Sequence, residues 1–315
     1  MYSPMRSLCF NDDRKTFTVV LPSQYQIFSC EPFGLVFSRD CEDVSLGFVA
    51  TYSGYRFIAL TGAPSKLDFN SKSVRIFDHQ LGKIIFEKKY DSNILTIGLG
   101  EDILVCCMHL RVEIWNIKTN QMTELFQQTG LNLHVPMDLS RDTKSLMISG
   151  SSSKKVSYIS GLFGSYKVKE FVADKDDISL MKISDDGNYL ATACFCGKVI
   201  RIWDANTSNC VAILERNNEN DLIQSMDFSP SNDFFVSCSS NGYVRVYDIR
   251  KKVQNARTTT ASICVANLCQ QVFMSRICWL NSMIINLISL DGMHFKLLFN
   301  GSSLEKEKNT FLSRE

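Results

Sequence analysis

Residues 189–248 contain one short unit twice. YLATACFCGKVIRIWD ends at Asp204 and FFVSCSSNGYVRVYD ends at Asp248, so the two aspartates stand forty-four residues apart. That is the period of a WD-type propeller blade, roughly 40–45 residues folded into four strands. In each copy a glycine, Gly197 or Gly242, precedes an alternating strand. Period two sends Val199, Arg201 and Trp203 to one face and Ile200 and Ile202 to the other. A sheet with apolar residues on both faces cannot bury them alone. Packing sheet against sheet in a repeated array does.

Stepping the period in both directions finds the same strand ending elsewhere. Going backward it falls at Ser160 (VSYIS), Asn116 (VEIWN), Asp78 (VRIFD) and Ser29 (YQIFS), and going forward near Leu298 or Phe299 (GMHFKLLF). Together with Asp204 and Asp248 these make seven ends. Between them run hairpins with polar turns, such as MDLSRDTKSLMISG, MKISDDGNYLATAC and MDFSPSNDFFVSCS, where Asp, Asn, Ser and Gly supply turn chemistry. Residues 163–175 and 205–217 read as outer strands with their loops. The expected fold is therefore all-β: a single seven-bladed β-propeller of the WD-repeat type over residues 1–315. Arg276 to Leu312 supplies enough strand for a whole last blade, so the first and last blades close by packing, with no strand exchanged between termini.

Composition narrows function by exclusion. Net charge is +1, which argues against a generally basic nucleic-acid binder. Twelve cysteines include no C-x-x-C, and the four histidines are scattered. Reduced thiols acting as small buried hydrophobes, in a reducing cytosolic compartment, are expected in place of disulfides or zinc. No metal or cofactor is called for. No G-x-S-x-G, phosphate loop or H-E-x-x-H is present. The acidic pairs Asp12-Asp13 and Asp185-Asp186 sit in hairpin turns, and Trp115, Trp203 and Trp279 read as core. No enzyme is expected.

Over nearly the whole chain the segments resemble the PROPPINs, the WD-repeat propellers of autophagy that bind phosphoinositides. FNDDRKTFTVVLPSQYQIFSCEPFG resembles their first blade, and residues 72–121 resemble the second and third. LATACFCGKVIRIWD, VSCSSNGYVRVYDI and SLDGMHFKLLFN resemble the fifth, sixth and seventh. The family motif is Phe or Leu followed by Arg-Arg-Gly, whose arginines point in opposite directions and each anchor one headgroup. The matching residues here are Leu214, Glu215, Arg216 and Asn217. The resemblance implies that Glu215 replaces the first arginine while Arg216 keeps the second. Cys194, Lys198 and Arg201 then stand around the first site, and Ser239, Tyr243 and Arg245 around the second.

A basic residue near an anionic membrane contributes about 1 kcal/mol. Exchanging one for a carboxylate therefore costs about 2 kcal/mol, roughly thirtyfold in affinity. The first site is expected to be weak and the second to persist through Arg216 and Arg245. Arg216 is expected to face the sixth blade near Ser239, and Glu215 to pair with Lys198 or Arg201. The sixth-blade loop is short and polar, and Lys251, Lys252 and Arg257, with Arg250, are its candidates for facing a membrane.

The expected function is a phosphoinositide-binding adaptor that brings autophagy machinery to phagophore, endosomal or vacuolar membranes. Its partners by resemblance are the autophagy lipid-transfer protein or the conjugation scaffold, met on the second- and third-blade rim. The alternative is a protein-interaction scaffold that has lost lipid binding.

Overall fold

A computed structural model describes residues 5–41, 44–64, 69–127, 136–162, 166–194, 197–216, 221–250, 259–268, 272, 274–307 and 310–312. These residues form seven sheets, each built on four antiparallel strands, and no helix; between the third and fourth strands of the sixth sheet, Thr259–Thr260 pairs parallel with the outer strand Cys210–Glu215 of the fifth. This is the all-β, seven-bladed propeller architecture that the repeat predicts. Contacts divide the chain into two compact units, residues 1–135 with three blades and residues 136–315 with four.

The third strands of the blades are Gln24–Cys30, Ser73–Asp78, Arg111–Asn116, Lys155–Ser160, Val199–Asp204, Tyr243–Asp248 and Met293–Phe299. Six of the seven ends match the periodic positions, and the first lies one residue later, at Cys30. The outer strands Lys167–Val172 and Cys210–Glu215 fall inside the two expected windows. The last blade takes all its strands from residues 276–311, and the first takes its four from residues 7–40. Among the described residues, neither terminal blade contains a strand from the other end of the chain.

The hairpins close with one piece of chemistry, used repeatedly. In blade 5 the Ser184 hydroxyl donates to Asp186 Oδ1 at 2.6 Å and accepts from Tyr189 N at 2.9 Å. Ser140 does the same with Asp142 and Ser145 in blade 4. Ser229 accepts from Phe234 N at 3.0 Å in blade 6. The hydroxyl ties the two strand ends together, so that the turn backbone does not lose its hydrogen bonds.

Inside each unit, neighbouring blades share apolar layers. Ala191, Ala193, Ile200 and Ile202 of blade 5 pack on Met226, Phe228, Phe235 and Tyr247 of blade 6. Trp203, on the other face of the same strand, packs with Tyr158 and Met147 of blade 4. The period-two reading of that strand is thus what the packing uses. Trp279, fully buried, sits between blades 6 and 7 against Phe299. Each such side chain contributes about 1.5–3 kcal/mol. Carboxylates stitch the first strands across blades. Asp138 accepts from Ile183 N at 2.7 Å, Asp227 accepts from Trp279 N at 3.0 Å, and Lys182 lies between the two carboxylates at 3.4 and 3.8 Å.

The ten described cysteines are free thiols. Six are buried, and Cys9, Cys41, Cys210 and Cys264 are half-buried. Burial pushes the Cys106 and Cys238 thiols up to about 12. Native protein treated with an alkylating agent at pH 8 should therefore leave the six buried thiols unlabelled until it unfolds. Mass analysis without reductant that finds a bridge between any two would overturn the reduced-core reading.

Candidate functional site

The strand Cys210–Glu215 carries the motif. Its alternation places Leu214 and Arg216 on the face toward blade 6 and Glu215 on the opposite face. Leu214 is fully buried in the layer shared by blades 5 and 6, while Glu215 is exposed. The opposed directions of residues 215 and 216 therefore follow from the pleat. The Tyr247 hydroxyl donates to the Glu215 carbonyl at 3.4 Å and ties the motif to blade 6. Asn217 lies outside the described residues, as do Lys251, Lys252 and Arg257.

Arg216 enters a closed polar pocket. Its side chain is 0% exposed, and Nη1 donates to the Gly197 carbonyl at 2.5 Å. Gly197 is at φ +62, and a Cβ there would lie 2.7 Å from Nη1, so only glycine lets the guanidinium sit so close. Nη2 faces Asp221 Oδ2 at 3.5 Å, an ion pair without a hydrogen bond. The other oxygen, Oδ1, accepts from Ser240 Oγ at 2.9 Å and Asn241 N at 3.0 Å. Arg245, from the third strand of blade 6, is 5% exposed and stacks over Tyr243 at 5.1 Å.

Burial, and then the Arg245 charge, hold the Arg216 guanidinium below its ordinary range, and Asp221 works in the opposite direction. Arg216 and Arg245 are thus two buried cations near each other, and Asp221 is the carboxylate paired with Arg216. Arg216 Nε and Nη2, Arg245 Nη1 and Asp221 Oδ2 all lack hydrogen-bond partners among the described residues. Ser239 is buried too, but its hydroxyl is spent on Tyr243, accepting from N at 3.2 Å and donating to O at 3.3 Å.

The other face differs. Arg201 is 23% exposed, and its Nη1 is bonded to Asp174 Oδ2. Asp174 comes from the connection between blades 4 and 5, where its Oδ1 accepts from Lys175 N at 2.7 Å. This corrects the expected pairing of Arg201 with Glu215: a carboxylate held by its own loop, 4% exposed, reaches the guanidinium first. Lys198 stands exposed at the rim. Cys194 is buried, and its sulfur and one carboxylate oxygen each of Asp174 and Asp176 lie within 4.8 Å of one another.

Arg201 and Arg245 occupy the same place in successive repeats. Each has an aspartate in the connection leading into its blade, Asp174 or Asp221. Sequence reasoning named both arginines and missed both aspartates. The signal was available: an acidic residue shortly before Ile178 and again before Ile223, where the first strands of blades 5 and 6 begin.

Similarity to known proteins fits this geometry. The model of the WD domain, G-beta repeat matches residues 165–204 and 208–248, which are blades 4–5 and 5–6. Autophagy-related protein 21 of Pichia angusta is 22% identical over 82% of this chain and 68% of its own length. Autophagy-related protein 18 of Komagataella pastoris is 22% identical over 78% of this chain and 52% of its own length. The chain thus spans between about half and two thirds of these curated relatives. Among solved structures, Hsv2 of Kluyveromyces lactis superposes with a TM-score of 0.85 at 16% identity, covering 99% of this chain and all of the other. A structure described as a complex of KlAtg21 with the coiled-coil of AgAtg16 does so at 0.82 and 16%, covering 98% of this chain. The chain is similar to PROPPIN-type WD-repeat proteins. By the resemblance read from the sequence, Arg216 matches the second motif arginine, and the Arg201–Asp174 pair lies on the strand paired with Glu215, the residue that matches the first.

Proposed function

We propose that this PROPPIN-type chain, as one propeller over residues 1–315, is an autophagy adaptor that takes one phosphoinositide headgroup through Arg216 and Arg245. One observation carries the reading: beside the Arg216–Asp221 ion pair lies a second buried guanidinium, Arg245, and among the described residues both keep buried donors without hydrogen bonds. Burying a charge without a partner is costly, and an arriving phosphate supplies both the charge and the acceptors. The adaptor is cytoplasmic and is recruited to autophagy membranes. Lys251, Lys252 and Arg257 add electrostatic attraction. Its protein partners are autophagy proteins of the lipid-transfer or conjugation-scaffold kind, and likeness to the Atg21 complex favours a coiled-coil segment. It catalyses no reaction.

A second reading, a protein scaffold without lipid, is favoured by the carboxylate already present at each arginine. Liposome flotation at fixed low salt decides, because such binding is screened. Vesicles carrying phosphatidylinositol 3-phosphate or the 3,5-bisphosphate should retain the parent chain, and Arg216→Ala should lose at least tenfold in affinity. Melting temperatures taken alongside separate lost binding from lost folding. A parent chain that treats these vesicles and plain phosphatidylcholine alike makes the scaffold reading the correct one.

A further inference from the structure

We propose that Asp174 is the residue that closes the fifth-blade cation pocket, and that reversing the motif change at Glu215 alone does not reopen it. The inference rests on the phosphoinositide reading for its choice of probe. Its experiment is run with Arg216 removed, so that the two can fail separately.

The observations are local. Arg201 is the one cation of that pocket that the pleat points toward blade 4, along with Trp203. It is already bonded to Asp174. Asp174 is 4% exposed against 23% for Arg201, so the carboxylate lies behind the guanidinium and is shielded from solvent. The loop fixes the carboxylate in place: Oδ1 takes Lys175 N at 2.7 Å and Asp176 N at 3.4 Å, which leaves Oδ2 for the guanidinium. Asp176 adds a further carboxylate, one oxygen of which lies within 4.8 Å of an Asp174 oxygen and of the Cys194 sulfur.

The two pockets therefore differ in kind. At Arg216 the carboxylate stands off at 3.5 Å, and among the described residues a second buried arginine leaves a positive surplus. At Arg201 a hydrogen-bonded ion pair leaves no surplus from that arginine, and the carboxylates of Asp176 and Glu215 outnumber the exposed Lys198. A phosphate arriving there meets a guanidinium whose charge is already matched by Asp174 and carboxylates that repel it. Arginine at 215 would supply one donor and remove one repulsion, but Arg201 would remain engaged.

The experiment uses the full chain carrying Arg216→Ala, and adds Glu215→Arg, Asp174→Asn, or both. Binding is measured on phosphatidylcholine vesicles with and without phosphatidylinositol 3-phosphate at one salt concentration. Asn at 174 keeps an oxygen for the Lys175 and Asp176 amides while removing the charge. Asp174→Ser is a second variant of the same kind, and melting temperatures report folding.

Glu215→Arg alone should change affinity by less than about twofold. Glu215→Arg with either Asp174 variant should raise it tenfold or more, which corresponds to about 1.4 kcal/mol. A tenfold gain from Glu215→Arg alone overturns the inference. That arm decides even where an Asp174 variant does not fold, since Glu215 is exposed and its replacement spares the core. A folded double variant that gains nothing overturns it as well. If the double variant gains while the parent chain itself binds no better than Arg216→Ala, the single-site reading fails and the role of Asp174 stands.

Discussion

Asp221→Ala is expected to lower the stability of the chain by about 3–5 kcal/mol, the cost of removing one partner from a buried ion pair. The side chain is 2% exposed and lies beside Arg216, itself 0% exposed, with Arg245 close enough to depress its ionisation further. Without Asp221 the two guanidiniums repel each other in a pocket from which water is largely excluded, and Ser240 Oγ and Asn241 N lose their acceptor. Asp221→Asn separates these effects, because it keeps an acceptor for both donors and removes only the charge. It should retain the hydrogen-bond part and still lose most of the stability. Inorganic phosphate should raise the melting temperature of Asp221→Asn more than that of the parent, since an anion bound only to the folded state stabilises it by mass action. Urea unfolding of the three chains, with and without phosphate, measures this. If Asp221→Asn proves as stable as the parent, the pocket does not hold an excess of charge.

Acid should destabilise the fold through His294 well before its carboxylates titrate. The ring is 3% exposed, and Nε2 shares a 2.9 Å hydrogen bond with Asn286 Oδ1. Burial, and then the charge of Lys296, depress its pKa from 6.5 to about 4. A depressed value means that the folded state resists the proton which the unfolded chain accepts. The contribution is therefore complete above about pH 6.5 and is lost as pH falls toward 4, reaching on the order of 3 kcal/mol. His294→Gln keeps a side-chain donor for Asn286 and cannot titrate. Its stability should vary less than the parent's across that window, with the difference greatest near pH 4. Parallel pH profiles would refute the assignment and move the acid sensitivity to another group.

How much of this could be read from the chain depends on the range of the interaction. The strand ends at Asp78, Asn116, Ser160, Asp204 and Asp248 were legible because a blade repeats one local pattern: alternation, a turn with Ser and Asp, and alternation again. The opposite directions of Glu215 and Arg216 were implied by the family resemblance, and the pleat of the strand accounts for them. The partner of Arg201 was not. Period two says which face a side chain takes but not which loop reaches that face, and Asp174 arrives from a connection twenty-seven residues earlier.

The sequence by itself determined the number of blades, the position of the motif and the separation of its two charges, because each is set by covalent neighbours and strand geometry. Tertiary structure alone decided the charge balance of the two pockets. Asp174 and Asp221 lie at similar places in the repeat, yet one forms a hydrogen-bonded pair with Arg201 and the other stands 3.5 Å from Arg216 without a hydrogen bond to it. That difference depends on ångström-scale packing of side chains from separate blades, where a Coulomb interaction in a low-dielectric pocket changes steeply with distance.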